Sequence, residues 1–377
     1  MPPRILIIAG EASGDLHGGA LVRALRDLRP DLELFGVGGD CMSKAGMELL
    51  YHVRTLSMVG FSEVIRHLPR FIRLYRDLDR TLRDRSPDVV VLIDYPGFNL
   101  RFALRARRRG IATFYYIAPQ VWAWGTGRAK KMAKFINNMA VIFDFEVPFF
   151  QAHGLSATFV GHPLLDIAGS GESRESYCRR LGFKPEHPIL ALFPGSRIQE
   201  LNLLLPPLLQ TAAILRARHP DLQITLSLAP TLSPVQIQTE IKDHPWVKVV
   251  RDESFVQMRH AAAALAASGT VTLELALSGT PFAIIYRVST ISYFLGKKLV
   301  TIPRIGLVNV VAGKEVVREF IQDQVQVPAL CAETEKLLFD PALRQRQQRS
   351  FEKIRVMLGE PGAAARTARL LLETLAV

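Results

Sequence analysis

ILALFPGSR, Ile189 to Arg197, reads as a buried strand running straight into a helix, and the rest of the chain is laid out to the same plan. Five apolar residues are followed by a Pro-Gly break, after which Ser196 and Arg197 open the amphipathic run IQELNLLLPPLLQTAAILR. Such a turn gathers unpaired backbone N–H groups, a hydroxyl and a guanidinium at a helix N-terminus, where the helix dipole favours negative charge. Two readings fit: an anion site built from Gly195, Ser196 and Arg197, or a plain strand-to-helix turn with Ser196 as its cap. A second stretch of similar design, AASGTVTLE from Ala266 to Glu274, favours the first. Its turn would be Ser268, Gly269 and Thr270, and two such turns in one half of a chain suit a phosphate-rich ligand.

Working outward, strand-like and helical runs alternate almost throughout. RILIIA, ELFGV, VVVLID, ATFYYI, MAVIF and ATFV punctuate the first half, and ILALF, LQITLSL, VKVV, AAALAA and FAIIY the second. Near-continuous apolar strands spaced by amphipathic helices predict an α/β protein with two doubly wound, mostly parallel sheets. A length of 377 residues also exceeds what one core usually supports. Gly, Pro and Ser cluster in GHPLLDIAGSGESRES, Gly161 to Ser176, so we expect domains over 1–165 and 166–345, with C-terminal helices over 346–377 packing back. A kink is expected at Glu360-Pro361-Gly362, before a last helix.

Cys41, Cys178 and Cys331 lie far apart with no Cys-x-x-Cys pair, which argues against a disulfide framework or a structural zinc site. No apolar run reaches the roughly 18 residues of a membrane span, and the N-terminal ILIIAG reads as a first strand, so neither secretion nor a spanning helix is expected. The formal charge of +12 asks for an anionic partner: nucleic acid, an anionic membrane surface or a phosphorylated substrate. Nucleic acid is disfavoured by the absence of zinc-finger spacing, an aromatic RNP-like strand or a lysine-rich tail. Asp77-x-Asp79 sits in the charge-laced RLYRDLDRTLRDR and reads as a solvated helix face, so no metal is expected.

In open α/β sheets ligands bind beyond the carboxyl ends of the strands, so the residues just after each strand carry the functional reading. GEASGD, Gly10 to Asp15, matches neither the dinucleotide fingerprint nor the P-loop, and its two acids would repel phosphate. Glu11, with Ser13 and Gly14, suits sugar hydroxyls; a turn capped by Ser13 or Asp15 is the plainer alternative. Asp94 ends the VVVLID run beside a Pro-Gly turn, where a partly desolvated carboxylate could serve as general base, Asn99 being better placed to cap the next helix. Gln120, Trp122 and Trp124 follow ATFYYI in APQVWAWGTGR, where the indoles suit a sugar face or acyl chain, or equally core packing. Glu274 falls one turn inside a helix, where it could accept ribose hydroxyls or stand as a satisfied buried acid. Asn309 and Ala312 to Glu319 are further polar candidates.

Taken together and in this order, GEASGD, IDYPGFN, APQVWAW, GHPLLD, LFPGSR and ASGTVTLEL resemble the lipid-A-disaccharide synthases, a family of inverting glycosyltransferases. The resemblance runs from the first strand to the C-terminal helices; Tyr95 and Gly97 depart from the small or acidic residues many relatives carry. It implies two Rossmann-like domains facing a cleft (GT-B type), an N-terminal acceptor-binding one and a C-terminal one holding the UDP-sugar. It also implies transfer from UDP-2,3-diacylglucosamine to 2,3-diacylglucosamine 1-phosphate, giving a β(1→6) disaccharide 1-phosphate and UDP. Asp94 then corresponds to the essential acid, Arg197 to the essential arginine, and Ser268-Gly269-Thr270 with Glu274 to diphosphate and ribose contacts. Arg197, helix N-termini and backbone N–H groups would neutralise the departing UDP, so no metal or cofactor is expected. A nucleotide-sugar epimerase of the same fold and a non-catalytic lipid-surface binder are the alternatives. Diacylated substrates imply a cytoplasmic protein reversibly bound to the inner face of the cytoplasmic membrane. Ile65, Leu68, Phe71, Ile72 and Tyr75, among dense arginines, are the expected contact. A homodimer through the C-terminal helices is a further expectation.

Overall fold

The structure, a computed structural model, describes residues 2–55, 64–123, 125–167, 171–251, 254–289 and 304–375, without the side chains of 55, 64–70 and 167. The chain forms two compact units, Met1–Asp166 with Leu358–Val377, and Ile167–Met357.

The first unit is built on a seven-stranded sheet of β1 (Arg4–Ala9), β2 (Glu33–Gly38), β3 (Glu48–His52), β4 (Val89–Ile93), β5 (Ala112–Tyr116), β6 (Asn138–Val141) and β7 (Ser156–Phe159). The order is β3-β2-β1-β4-β5-β6-β7, and every pairing is parallel. Every residue of the β4 run VVVLI is buried, as a strand covered on both faces requires. Strand order reverses between β1 and β4, whose register ends level at Ala9 and Ile93. That reversal opens a crevice at the carboxyl ends, the place where open α/β sheets bind ligands.

The second unit repeats the plan with β8 (Ile189–Phe193), β9 (Gln223–Leu228), β10 (Val247–Arg251), β11 (Ala263–Ala267), β12 (Phe282–Tyr286) and β13 (Glu319–Ile321). Its order, β10-β9-β8-β11-β12-β13, is again wholly parallel and reverses between β8 and β11. Two strands go beyond the sequence reading, β3 and the three-residue β13. Both are sheet edges with only one buried residue between them, so neither carries an apolar run to announce it.

The division falls at Asp166 rather than anywhere later in the Gly-Pro-Ser stretch, and the chain returns to the first unit at Leu358 rather than at 346. Helix Pro341–Met357 belongs to the second unit, where the Gln347 amide pairs with the backbone N–H and carbonyl of Phe282 at 3.0 and 3.1 Å. GHPLLD is the seat of the return. His162 donates its backbone N–H to the Leu358 carbonyl (2.9 Å), and Asp166 accepts the N–H of Gly362. Arg366 donates to the carbonyls of Val160, Glu360 and Pro361. Gly161, at φ +80°, leaves room for that guanidinium; a Cβ there would lie 2.6 Å from Arg366 Nη2. Helix Ala363–Leu375 then buries Ala363, Thr367, Ala368 and Leu371.

Helix Val64–Asp84 corrects two expectations. Leu74, Leu78 and Leu82 are its buried stripe, and Tyr75 and Phe71 of the expected membrane face turn toward the same core. Tyr75 meets Phe98 and Phe102 edge-on at 6.0 and 5.8 Å. Ile72 is 42% exposed, and the side chains of Ile65 and Leu68 lie outside the described residues. Nor is Asp79 on a solvated face: Arg105 and Arg109 each donate two bonds to its carboxylate at 2.6–3.0 Å, while the Tyr51 hydroxyl donates to Asp77. Among the described residues no cluster of metal-ligating side chains forms, and no helix is long and apolar enough to cross a membrane.

Candidate active-site residues

The β1/β4 crevice of the first unit carries Glu11 and Asp94. β4 ends in two consecutive left-handed residues, Asp94 (φ +46°) and Tyr95 (φ +48°), before Pro96 opens helix Pro96–Arg108. Non-glycine residues held there cost about 1–3 kcal/mol each, so the turn persists only where its surroundings over-determine it. The Asp94 carbonyl accepts the Asn99 amide at 2.7 Å and the Tyr115 hydroxyl at 2.6 Å. Asn99 also reaches the carbonyls of Ile93 (3.2 Å) and Ile8 (3.5 Å), so it ties strand ends together rather than capping the helix by its side chain. A Cβ on Gly10 would overlap the Tyr95 ring, which is why glycine follows β1. Burial, reinforced by the negative charge of Glu11 and opposed by the Tyr95 N–H, pushes the Asp94 carboxyl up to about 6. At neutral pH it is therefore ionised, yet more basic than an exposed aspartate, as a general base should be.

Around this crevice the candidates divide. Glu11 and Ser13 are exposed, and Gly14 is buried with its missing Cβ 3.3 Å from that of Ala9. Asp15, the other acid of the loop, caps a different helix: its carboxylate accepts the N–H groups of Gly39, Cys41 and Met42 at 2.6, 3.0 and 3.0 Å. Gln120 is exposed, and Trp124 lies outside the described residues. Trp122 donates its indole N–H to Glu146 (2.9 Å) and meets Phe145 edge-on at 5.1 Å. Glu146 is 1% exposed; it also accepts the N–H groups of Ile142 and Phe143, and burial pushes it up to about 7. The sequence reading missed it, although an acid so close to the bulky apolar residues of IFDFEVPFF was the available signal. It also passed over His17 and His162, which burial lowers to about 4 and about 3 and so keeps neutral.

In the second unit the β8/β11 crevice brings the two expected turns to adjacent strand ends. Arg197, not Ser196, is the N-cap of helix Ile198–Arg218. Glu200, in the first turn, accepts the Ser196 N–H at 3.0 Å and pairs with Arg197 at 2.8 Å, leaving the Arg197 side chain 76% exposed. Gly195, at φ +107°, is required because a Cβ would overlap that same carboxylate. The Ser268 hydroxyl donates to the Ile305 carbonyl (2.8 Å), so it shapes the crevice through the 304–306 segment. Gly269, at φ +157°, has open space where a Cβ would stand, and Thr270 is exposed at the N-cap of helix Val271–Ser278. Burial raises the Glu274 carboxyl above its ordinary value, and among the described residues no hydrogen bond or ion pair offsets this. Asn309 is a correction. It is fully buried, its amide donating to the Val317 carbonyl and Glu319 and accepting from the N–H groups of Val316 and Val317 at 2.7–3.0 Å, so nothing remains for a ligand. Glu319 holds that loop, accepting also from Ile305 and Gly306.

Two wholly parallel, doubly wound units with polar groups at each reversal of strand order define the GT-B-like class to which glycosyltransferases and UDP-GlcNAc 2-epimerases belong. The S. aureus MnaA–UDP co-structure superimposes with a TM-score of 0.69 at 12% identity, covering 99% of this chain and 97% of that one. The glycosyltransferase of kitacinnamycin gives 0.66 at 16% identity, covering all of both chains. Within that class sequence decides. Residues 5–371 match the family described as lipid-A-disaccharide synthetase, and the lipid-A-disaccharide synthase of Geobacter metallireducens is 42% identical over 373 residues, 99% of this chain and 97% of that protein. The chain belongs to this family, as its six motifs led us to expect, and its activity is the glycosyl transfer of lipid A biosynthesis. The epimerase and lipid-binder alternatives are thereby set aside.

Proposed function

We propose that the β8/β11 crevice binds UDP-2,3-diacylglucosamine and that Asp94, in the β1/β4 crevice, deprotonates the 6-hydroxyl of 2,3-diacylglucosamine 1-phosphate. The hydroxyl oxygen attacks the anomeric carbon in line, the C–O bond to the diphosphate breaks, and UDP leaves with the electron pair, giving a β(1→6) disaccharide 1-phosphate. Arg197, the Ser268-Gly269-Thr270 turn and nearby backbone N–H groups neutralise the charge that develops on UDP. Glu274 accepts the ribose hydroxyls, and Glu11, Ser13, Gly14, Gln120 and Trp122 border the acceptor.

The observation that carries this reading is the Asp94 turn, a carboxylate at a reversal of strand order, raised by burial and by Glu11 to about 6. Incubation with both substrates should yield the disaccharide 1-phosphate by mass and a β-linkage by NMR, and should do so in EDTA. UDP release without disaccharide, or an α-linked product, would overturn it.

A second part of the proposal is reversible contact with an anionic membrane through the exposed side of helix Val64–Asp84, where Ile72 stands among exposed Arg73, Arg76, Arg80 and Arg83. Each arginine near such a surface contributes about 1 kcal/mol, falling as salt rises. Binding to phosphatidylglycerol vesicles should weaken in Arg73→Gln/Arg76→Gln and in high salt; insensitivity to both would place the contact elsewhere.

A further inference from the structure

We propose that Tyr115 and Asn99 are positioning residues for the transfer reaction: by holding the Asp94 carbonyl they keep the Asp94–Tyr95 turn left-handed and so set where the Asp94 carboxylate stands. The inference rests on the reading of Asp94 as the base. A turn of two consecutive left-handed residues, one of them tyrosine, has other conformations open to it, and these would carry the carboxylate elsewhere. The backbone ties it on either side, the Asp94 N–H donating to the Tyr116 carbonyl at 3.2 Å and the Tyr95 carbonyl accepting the Asn99 N–H at 3.1 Å. Between them a pair of side-chain donors meets the Asp94 carbonyl, Tyr115 Oη at 2.6 Å and Asn99 Nδ2 at 2.7 Å, which together use both of its acceptor directions. Both donors are rigidly placed. Tyr115 is fully buried on β5, the strand beside β4, and Asn99 is fully buried in helix Pro96–Arg108. Burial raises the Tyr115 phenol well above its ordinary range, so its hydroxyl remains a donor at any working pH.

Asn99 supplies the independent clue. Its Nδ2 spans the carbonyls of Ile8, Ile93 and Asp94, on both strands that wall the crevice, while its Oδ1 is buried with no hydrogen-bond partner among the described residues. A buried acceptor without a partner is costly, and few native groups are left so. Asparagine here is thus explained by what its donor side does for the turn, not by a satisfied side-chain network. Asn99 sets the ends of β1 and β4, and Tyr115 references the turn to β5.

The test compares Tyr115→Phe, which removes one oxygen, in the wild-type and Asp94→Asn backgrounds, with Asn99→Ala beside it. Displacing a reacting group by about an ångström can cost on the order of 10² in rate. We expect kcat to fall roughly 10- to 100-fold in Tyr115→Phe, with KM for both substrates within about threefold of wild type, and no further fall when Tyr115→Phe is added to Asp94→Asn. Equal losses in both backgrounds, or a loss confined to KM, would mean a merely structural hydroxyl and overturn the inference. Unchanged kcat in Tyr115→Phe, with Asp94→Asn inactive, would overturn it too while leaving the base in place. Full activity in Asp94→Asn would instead remove the base reading, and the inference with it. If Asn99→Ala does not fold, Tyr115→Phe decides alone.

Discussion

Replacing Asp94 by asparagine should disable the enzyme and stabilise it at once. Asparagine preserves the shape and tolerates the left-handed backbone of this turn, so only basicity and charge are removed. In the fold the carboxyl is raised from 3.8 to about 6, and each unit of such a shift corresponds to 1.36 kcal/mol. The ionised form is therefore disfavoured by up to about 3 kcal/mol relative to the unfolded chain. The sign follows from the direction: a raised folded value means stability that is complete below about pH 4 and lost as pH climbs through about 6. As pH rises from about 3.5 to 8 wild type should lose that increment, most of it between about pH 4 and 6, and Asp94→Asn should not. Thermal or urea unfolding across this range should show nearly equal stability at the acid end and a variant more stable by about 2–3 kcal/mol at pH 8, a few degrees in Tm. Turnover should fall by at least ~10², with UDP affinity unchanged, because removing a general base leaves binding intact. A variant less stable than wild type at pH 8, or a stability gap that does not change with pH, would refute the desolvation argument even if activity were lost.

The remaining expectations are narrower. Glu11→Gln removes the charge that helps to raise Asp94, so the acidic limb of kcat/KM should move below about pH 6; a limb that stays in place would separate the two carboxylates. Arg197→Ala should keep the fold, since its side chain is largely exposed, and lose on the order of 10² in turnover; near-normal rates in a folded variant would remove Arg197 from the donor site. Glu274→Gln should weaken UDP binding about tenfold while raising the stability of the ligand-free protein at neutral pH, because an ionised acid that burial disfavours is neutralised; isothermal titration and melting curves together check both. Gly10→Ala should displace the Tyr95 ring, costing roughly 1–3 kcal/mol with a matching loss of activity, and an unperturbed variant would show that the ring can yield.

What could be read in the sequence, and what could not, follows the range of the forces involved. VVVLID and AAALAA announce themselves because a parallel strand covered on both faces must be apolar throughout, and their ends mark the crevices at which Asp94 and Ser268-Gly269-Thr270 stand. Helix Val64–Asp84 was harder. Periodicity shows that one side is apolar, but only tertiary packing reveals that Phe71 and Tyr75 meet the Phe98 and Phe102 cluster while Ile72 does not.

The acids draw the sharpest line. Asp15, Glu146, Glu200 and Glu319 all sit near strand ends, as Asp94 and Glu274 do, and residue type and spacing alone do not separate the two groups. Topology separates them, because the first four meet backbone N–H groups: Gly39 and Met42 for Asp15, Ile142 and Phe143 for Glu146, Ser196 for Glu200, Ile305 and Gly306 for Glu319. Several of those donors come from segments far away in sequence, which residue spacing cannot foretell. An acid so bonded holds a loop and has little left for chemistry. Asp94 and Glu274 are raised chiefly by burial, and the loss of hydration is not made good by comparable sets of donors. A carboxylate left in that condition at the end of a buried strand or the start of a helix gains most from a ligand that brings it hydrogen-bond donors, which is why we propose Asp94 for the acceptor hydroxyl and Glu274 for the ribose hydroxyls. The same accounting removes Asn309, whose amide is satisfied on every side, and retains Asn99, whose unsatisfied oxygen is tolerated at the turn that holds Asp94.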